Sequence, residues 1–256
     1  MLEGKEKIFM QVDLLCSGSK GNCCIVRDGQ SQLMIDCGST KKYLFQAMQD
    51  VNAKIEDCNG ILITHAHVDH VSQLKHVNSQ PVYSYCDLKL MDNHHRVYPN
   101  DEFDIGTFHV QVIRLSHDSP NTVGYVIQSQ GEKLVYITDT GFIANANKPL
   151  IQNADYYVFE SNHDVEMLMQ TNRPLFLKQR ILSAEGHLNN EDSAANLSEI
   201  INVNTKQIVL AHLSQEANTP EKALETFHST FLKKGMSEQG IEVRAAQQFE
   251  IIQMGK

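Results

Sequence analysis

Short apolar runs separated by turn residues fill the first two thirds of the chain, and a 3.6-residue periodicity takes over in the last third. The runs predict strands over 8–15, 23–26, 33–35 and 60–64, with a turn at Ser17-Gly18-Ser19-Lys20-Gly21-Asn22 between the first two. Leu44, Ala47, Met48 and Val51 fall at i, i+3, i+4 and i+7, the spacing of one helix face. Further strands are predicted over 108–114, 123–128, 133–138, 156–159 and 207–211, with Gly131 marking a turn. Helices are predicted over 163–170, 174–182, 190–201 and 219–232. The last has Thr219 as its N-cap, Pro220 at its first position and Gly235 as its stop. Strands and helices mix along the whole length, so the class is α/β or α+β with two sheet-forming halves. No repeat or Pro/Gly-rich linker interrupts the pattern, which favours one domain over 1–256, with 1–9 read as an extension ahead of an alternative start at Met10.

Charge adds a constraint. Thirty-one acidic and 22 basic side chains give a net charge of −9. That balance argues against coating nucleic acid by bulk charge, but a local basic groove or a bound metal outweighs a mean field. No apolar run approaches the ~18 residues of a membrane span. The first ten residues carry charges at Glu3, Lys5, Glu6 and Lys7 and do not read as a secretory signal. Six cysteines, Cys16, Cys23, Cys24, Cys37, Cys58 and Cys86, form no CxxC pair. They are expected to be reduced core thiols of a cytoplasmic protein.

The chemistry concentrates at His65-Ala66-His67-Val68-Asp69-His70, four potential metal ligands directly after a strand. Neutral imidazoles with a carboxylate suit zinc or a similar divalent ion. One loop cannot complete a two-metal centre. His117, Asp139 and His212 each follow another predicted strand, where ligands can converge at one sheet edge. Taken singly, a His or Asp at a strand end is more often a capping or surface group, and it is the shared position that favours ligands. Asp139 has two oxygens with which to bridge two ions.

The order His65-Ala-His67-Val-Asp69-His70, His117, Asp139, His212 resembles the metallo-β-lactamase superfamily. The resemblance implies a four-layer αββα sandwich with the metals in a cleft at the sheet edges. It further implies His65, His67 and His117 on one metal, Asp69, His70 and His212 on a second, and Asp139 between them. Asp36 would organise the metal loops, or serve as a turn residue before Gly38. Many members carry glycines just after the first histidine motif, where this chain has Val71-Ser72-Gln73. The segments 17–22, Ser116-His117-Asp118, 136–141, 160–164, 186–190 and His212-Leu213-Ser214 together resemble the YycJ (WalJ) branch, which is similar to RNase Z and RNase J. That branch is associated with 5′-to-3′ exonuclease action on duplex DNA.

These resemblances imply a phosphodiesterase using two divalent ions, zinc or manganese, to direct hydroxide onto phosphorus. Asp69 would orient the water or accept its proton. Gly186-His187 resembles the phosphodiesterase branch, in which this His assists proton transfer; the plain alternative is a loop residue before a helix. His163 either lines the cleft or starts a helix. Arg173, Lys178 and Arg180 are candidate nucleic-acid contacts because they follow the 160–164 segment. DNA is favoured over RNA as the partner because no RNA-binding appendage is visible. The rivals are a ribonuclease, a thioesterase on the same fold, and a non-catalytic metal-bound scaffold.

Overall fold

Fully apolar strands form where a sheet is covered on both faces, and this constraint organises the architecture. The computed structural model describes residues 9–77, 79–88 and 92–255. The first sheet holds β1 (Gln11–Cys16), β2 (Cys23–Arg27), β3 (Gln32–Ile35), β4 (Gly60–Ile63), β5 (Val82–Ser84) and β6 (His94–Arg96). The second holds β7 (Glu102–Ile105), β8 (Phe108–Arg114), β9 (Val123–Ser129), β10 (Glu132–Ile137), β11 (Tyr156–Glu160), β12 (Gln207–Ala211) and β13 (Glu242–Ala245). The last strand, β14 (Ile252–Met254), returns to pair with β1. The spatial orders are β14-β1-β2-β3-β4-β5-β6 and β13-β12-β11-β10-β9-β8-β7. The helices are α1 (Lys41–Asp50), α2 (Val68–Val71), α3 (Lys148–Ile151), α4 (Val165–Gln170), α5 (Leu175–Ile181), α6 (Asn190–Ile200) and α7 (Pro220–Lys233). Among the described residues no helix is long and apolar enough to cross a membrane.

Alternate residues of each strand point to opposite layers. Leu14, Cys24, Ile35 and Leu62 of the first sheet meet Val112, Tyr125, Tyr136, Val158 and Val209 of the second in a shared core. Ile25, Met34, Ile61 and Ile63 point the other way, against Leu44, Ala47 and Met48 of α1. On the far side, Val135, Ile137, Phe159 and Leu210 pack under Leu197 of α6 and Phe227 and Phe231 of α7. The result is the four-layer αββα sandwich. All six cysteines are buried and free.

Strand and helix positions follow the pattern closely, with β8 and β12 spanning the predicted residues. Thr219 caps α7 by accepting the Lys222 N–H, and Gly235 ends it at φ +66°. The strand predicted from residue 8 begins at Gln11; residues 1–8 lie outside the described part. Val71-Ser72-Gln73 anchors its loop through side chains: Ser72 Oγ and Gln73 Nε2 both donate to the Ser39 carbonyl.

Asp28 clamps the two sheets together. One oxygen accepts the Gln30 and Ser31 N–H groups in the β2–β3 turn. The other accepts hydroxyls from Thr107 and Ser129 of the second sheet. Burial pushes this carboxyl up, but the hydrogen bonds from Ser129, Thr107, Ser31 and Gln30 outweigh it and hold the group below the usual carboxylate range. A depressed carboxyl stabilises the fold above its unfolded value of ~3.9, and that contribution is lost as pH falls through the lower folded value. Asp28→Ala is therefore expected to cost about 2–4 kcal/mol at pH 7. In urea titrations the gap between parent and variant should shrink below about pH 4; a gap constant from pH 7 to 3 would contradict the clamp.

Candidate metal centre

The carboxyl ends of β3, β4, β10, β11 and β12 lie at one edge of the sandwich, and each delivers a polar side chain there. Three of the residues that turn the chain at these ends have left-handed backbones: Asp36 at φ 58°, Asp139 at φ 59° and His212 at φ 57°. Such conformations cost of order 1–3 kcal/mol in a non-glycine residue and persist only where the surroundings enforce them. Here they aim the Asp139 carboxylate and the His212 imidazole into one crevice and set Asp36 behind it.

Asp139 is at its centre. Its Oδ2 lies 3.3 Å from His70 Nε2, and its Oδ1 is 3.5 Å from His212 Nε2 and 3.8 Å from both His117 Nε2 and His187 Nδ1. His65, His67 and His117 form one group whose nitrogens could hold an ion, and Asp69, His70 and His212 form another. His65 with His70 and Asp139 joins the two groups. The seven residues expected at the metals are thus brought together.

The surroundings fix which atoms face inward. His117 Nδ1 donates to the Gly186 carbonyl at 3.1 Å, leaving Nε2 for the crevice. Asp36 is fully buried and accepts the Thr64 N–H at 2.9 Å, the Thr64 hydroxyl and His70 Nδ1 at 2.8 Å. It therefore orients the histidine loop from behind. Asn22 Nδ2 reaches His70 Nε2 at 2.9 Å and Asp69 Oδ2 at 3.3 Å.

Glu160 was not singled out in the sequence, and it ties the site together. Its Oε1 lies 2.8 Å from His187 Nδ1 and 3.0 Å from His212 Nδ1. Its Oε2 accepts the Thr140 N–H at 2.8 Å and the Leu188 N–H at 3.3 Å. A charged residue ending the apolar run Tyr156–Phe159 was the available signal. Asp118 is a second such residue: Oδ1 lies 3.2 Å from His117 Nε2, while Arg180 Nε bonds Oδ2.

The charges interlock. Burial favours neutral Glu160, but His187 and His212 pull its pKa down to about 2. Asp139 is likewise held well below the carboxylate range, by His212 and His70 against burial. Burial opposes protonation of His212, yet Asp139 and Glu160 raise it to about 9. His70 is raised by Asp36 and Asp139 against burial, whereas burial and the neighbouring His70 lower His65.

His65 Nε2 and His212 Nε2 are buried with no hydrogen-bond partner in the protein, and buried Asp139 Oδ2 has only the 3.3 Å approach of His70 Nε2. Each orphaned polar atom costs about 1–3 kcal/mol. Imidazole nitrogens and carboxylate oxygens converging without protein partners are what a divalent cation satisfies, so the residues fit such an ion.

The remaining candidates lie outside this crevice. Arg173 and Arg180 line a cavity of about 340 Å³ together with His187 and Asp118, and Arg173 Nε donates to Glu216 at 2.8 Å. Lys178 is buried, its Nζ donating to the Met169 carbonyl at 2.6 Å. His163 is fully buried, with Nδ1 3.3 Å from Asn162 Oδ1.

Gly38 makes room for the short helix that carries Asp69 and His70. A Cβ there would lie 1.7 Å from the Asp69 carbonyl oxygen. Gly38→Ala is expected to lower the unfolding free energy by about 1–3 kcal/mol and to weaken zinc uptake in chelator competition. A variant as stable and as zinc-competent as the parent would contradict this packing.

A model of the β-lactamase superfamily domain matches residues 32–213. The exodeoxyribonuclease YycJ of Bacillus anthracis is 35% identical over 239 residues, covering 88% of this chain and 90% of that protein. The exodeoxyribonuclease WalJ of Streptococcus pneumoniae serotype 2 (strain D39) is 34% identical over 232 residues, or 85% and 86% of the two chains. The metallo-β-lactamase fold protein YhfI from Bacillus subtilis superposes with a TM-score of 0.74 at 17% identity, over 96% of this chain and 100% of that one. That likeness speaks for the fold alone, while the family match and the sequence relatives speak for descent. The chain belongs to the metallo-β-lactamase superfamily, in the branch that holds YycJ and WalJ, and is a metal-dependent hydrolase.

Proposed function

We propose that the protein is a two-metal phosphodiesterase acting as a 5′-to-3′ exonuclease on DNA, and that the chain works as one domain. The observation that carries this reading is the pair of ligand groups on either side of Asp139, next to the Glu160–His187 pair. The names of the two exodeoxyribonuclease relatives support the choice of substrate. His65, His67 and His117 would hold one ion, Asp69, His70 and His212 the other, with Asp139 between them. Bound there, zinc or manganese supplies charge neutralisation at phosphate oxygens and a water of lowered pKa.

The chain's own groups perform the proton movements. Asp69 accepts the proton of the attacking water, and Asn22 Nδ2, 3.3 Å from its Oδ2, fixes the carboxylate. Glu160 accepts a hydrogen bond from His187 Nδ1–H, so that in its doubly protonated form His187 delivers the Nε2 proton to the departing 3′-oxygen. The product end is then a 5′-phosphate. Arg173 and Arg180, on the cavity beside His187, contact the backbone of the bound strand. His163 and Lys178, being buried, act through packing.

Metal-loaded protein should shorten 5′-phosphorylated duplex DNA from its 5′ ends, with single-stranded DNA and RNA as controls. Asp69→Ala should lower the rate by about 10³-fold or more, and His187→Ala by about 10²–10⁴-fold. Cleavage of RNA alone would establish a ribonuclease instead. Inert, metal-loaded protein would defeat the phosphodiesterase reading and turn attention to thioesters.

Glu160→Gln retains the shape of the side chain but removes the charge that both imidazoles share. It should lower kcat by about 10-fold or more while leaving KM within about twofold. An unchanged kcat would show that His187 needs no orienting partner.

A further inference from the structure

The chain has six arginines. Four have carboxylate partners: Arg27 with Asp13, Arg173 with Glu216, Arg180 with Asp118, and Arg244 with Glu242. Arg96 and Arg114 are exposed and have no carboxylate partner among the described residues. In a protein of net charge −9, two such cations stand out: Arg114 lines a groove, and Arg96 lies three residues before Pro99 of that groove's wall.

The groove has a volume of about 620 Å³ and opens beside His117, on its wall with Arg114, Asn100, Asn121, Asn147 and Phe142. Glu185 is the one carboxylate among its described lining residues. Phe142 is 46% exposed although it follows Thr140-Gly141, which is pinned by the bond from the Gly141 N–H to the Ser116 carbonyl. A large apolar ring held on a fixed loop over a polar groove has no packing role that requires this exposure.

From Asn100 and Pro99 on the wall the chain runs to Tyr98, which is 55% exposed. The Arg96 guanidinium lies 6.0 Å from the Tyr98 ring and 5.5 Å from the Tyr85 ring. Stacking holds a guanidinium in place while leaving its N–H edges free for an anion. Cation and aromatic ring therefore occur twice along one path from His117: Arg114 with Phe142, then Arg96 with Tyr98. Guanidinium groups interleaved with exposed aromatic rings are the chemistry that holds a single strand without reading its sequence.

We propose that this groove, continued past Pro99 onto the exposed Arg96–Tyr98 surface, binds a single-stranded DNA segment on one side of the scissile phosphate, with Arg114 and Arg96 on backbone phosphates and Phe142 and Tyr98 against bases. The proposal rests on the phosphodiesterase reading above. It adds a strand-binding path separate from the Arg173 and Arg180 side of the centre.

The test uses full-length, metal-loaded protein and a fluorescent, 5′-phosphorylated, phosphorothioate-linked DNA single strand. For the Arg96→Ala/Arg114→Ala double variant, anisotropy should show Kd weakened about tenfold or more. The slope of log K against log salt should fall by about 1.4, at about 0.7 per lost phosphate contact. Phe142→Ala should raise KM on DNA about tenfold with kcat within twofold. All three proteins should hydrolyse bis(p-nitrophenyl) phosphate, too small to reach from the metal centre along the groove, at rates within twofold. That equality also shows that the variants fold.

Unchanged Kd and salt slope in the double variant, with DNA cleavage intact in the parent, would overturn the groove alone. An equal loss on the small diester would overturn it too, because the effect would then lie at the metal centre. A parent that binds RNA while leaving DNA free would overturn the assignment to DNA. A parent that cuts the small diester but no DNA would defeat the functional reading, and the groove with it.

Discussion

A buried carboxylate can keep its charge only if cations or strong donors surround it, and the structure around Asp139 is organised by that requirement. Four imidazoles, from His70, His117, His187 and His212, lie within 3.3–3.8 Å of its oxygens. Those imidazoles come from widely separated parts of the chain, so the crevice exists only where both sheets bring their strand ends to one edge. The left-handed turns at Asp36, Asp139 and His212 are the local cost of that convergence. The sandwich core between the sheets holds the ends in place, and the second carboxylates, Asp36 and Glu160, fix the imidazoles from behind.

The same electrostatics connect fold to chemistry. Asp36 and Glu160 take no exposed position: both are fully buried and spend their hydrogen bonds on Thr64, Thr140, Leu188 and the histidines. They leave Nε2 of His65 and His212 without hydrogen-bond partners and Oδ2 of Asp139 facing the crevice. A site built this way favours divalent cations and disfavours their absence. It also lets a protein of net charge −9 present positive charge where an anionic substrate would need it.

Much of this was legible in the sequence because it is local. The run Gln207–Ala211 reads as a buried strand since both its faces are covered, and the run ends at His212. His65 to His70 places four donors within six residues, so no tertiary information was needed to notice them. Glu160 was not legible in that way: its partners His187 and His212 are 27 and 52 residues away. The strands β5, β6, β13 and β14 are three or four residues long and, unlike the equally short β3 and β4, are broken by polar or charged residues, so they form no apolar run. Arginine roles were hidden for a related reason. Whether a guanidinium is neutralised, as Arg173 and Arg180 are, or lacks a carboxylate partner among the described residues, as Arg96 and Arg114 do, depends on which carboxylates the fold brings near it.

Anomalous diffraction from crystals grown with zinc or manganese would locate the ions directly. Two peaks about 3.5–4 Å apart, flanking Asp139, with one near His65, His67 and His117 and the other near Asp69, His70 and His212, are expected. A single peak, or peaks that leave Asp139 without a metal contact, would contradict a two-metal centre built on that carboxylate.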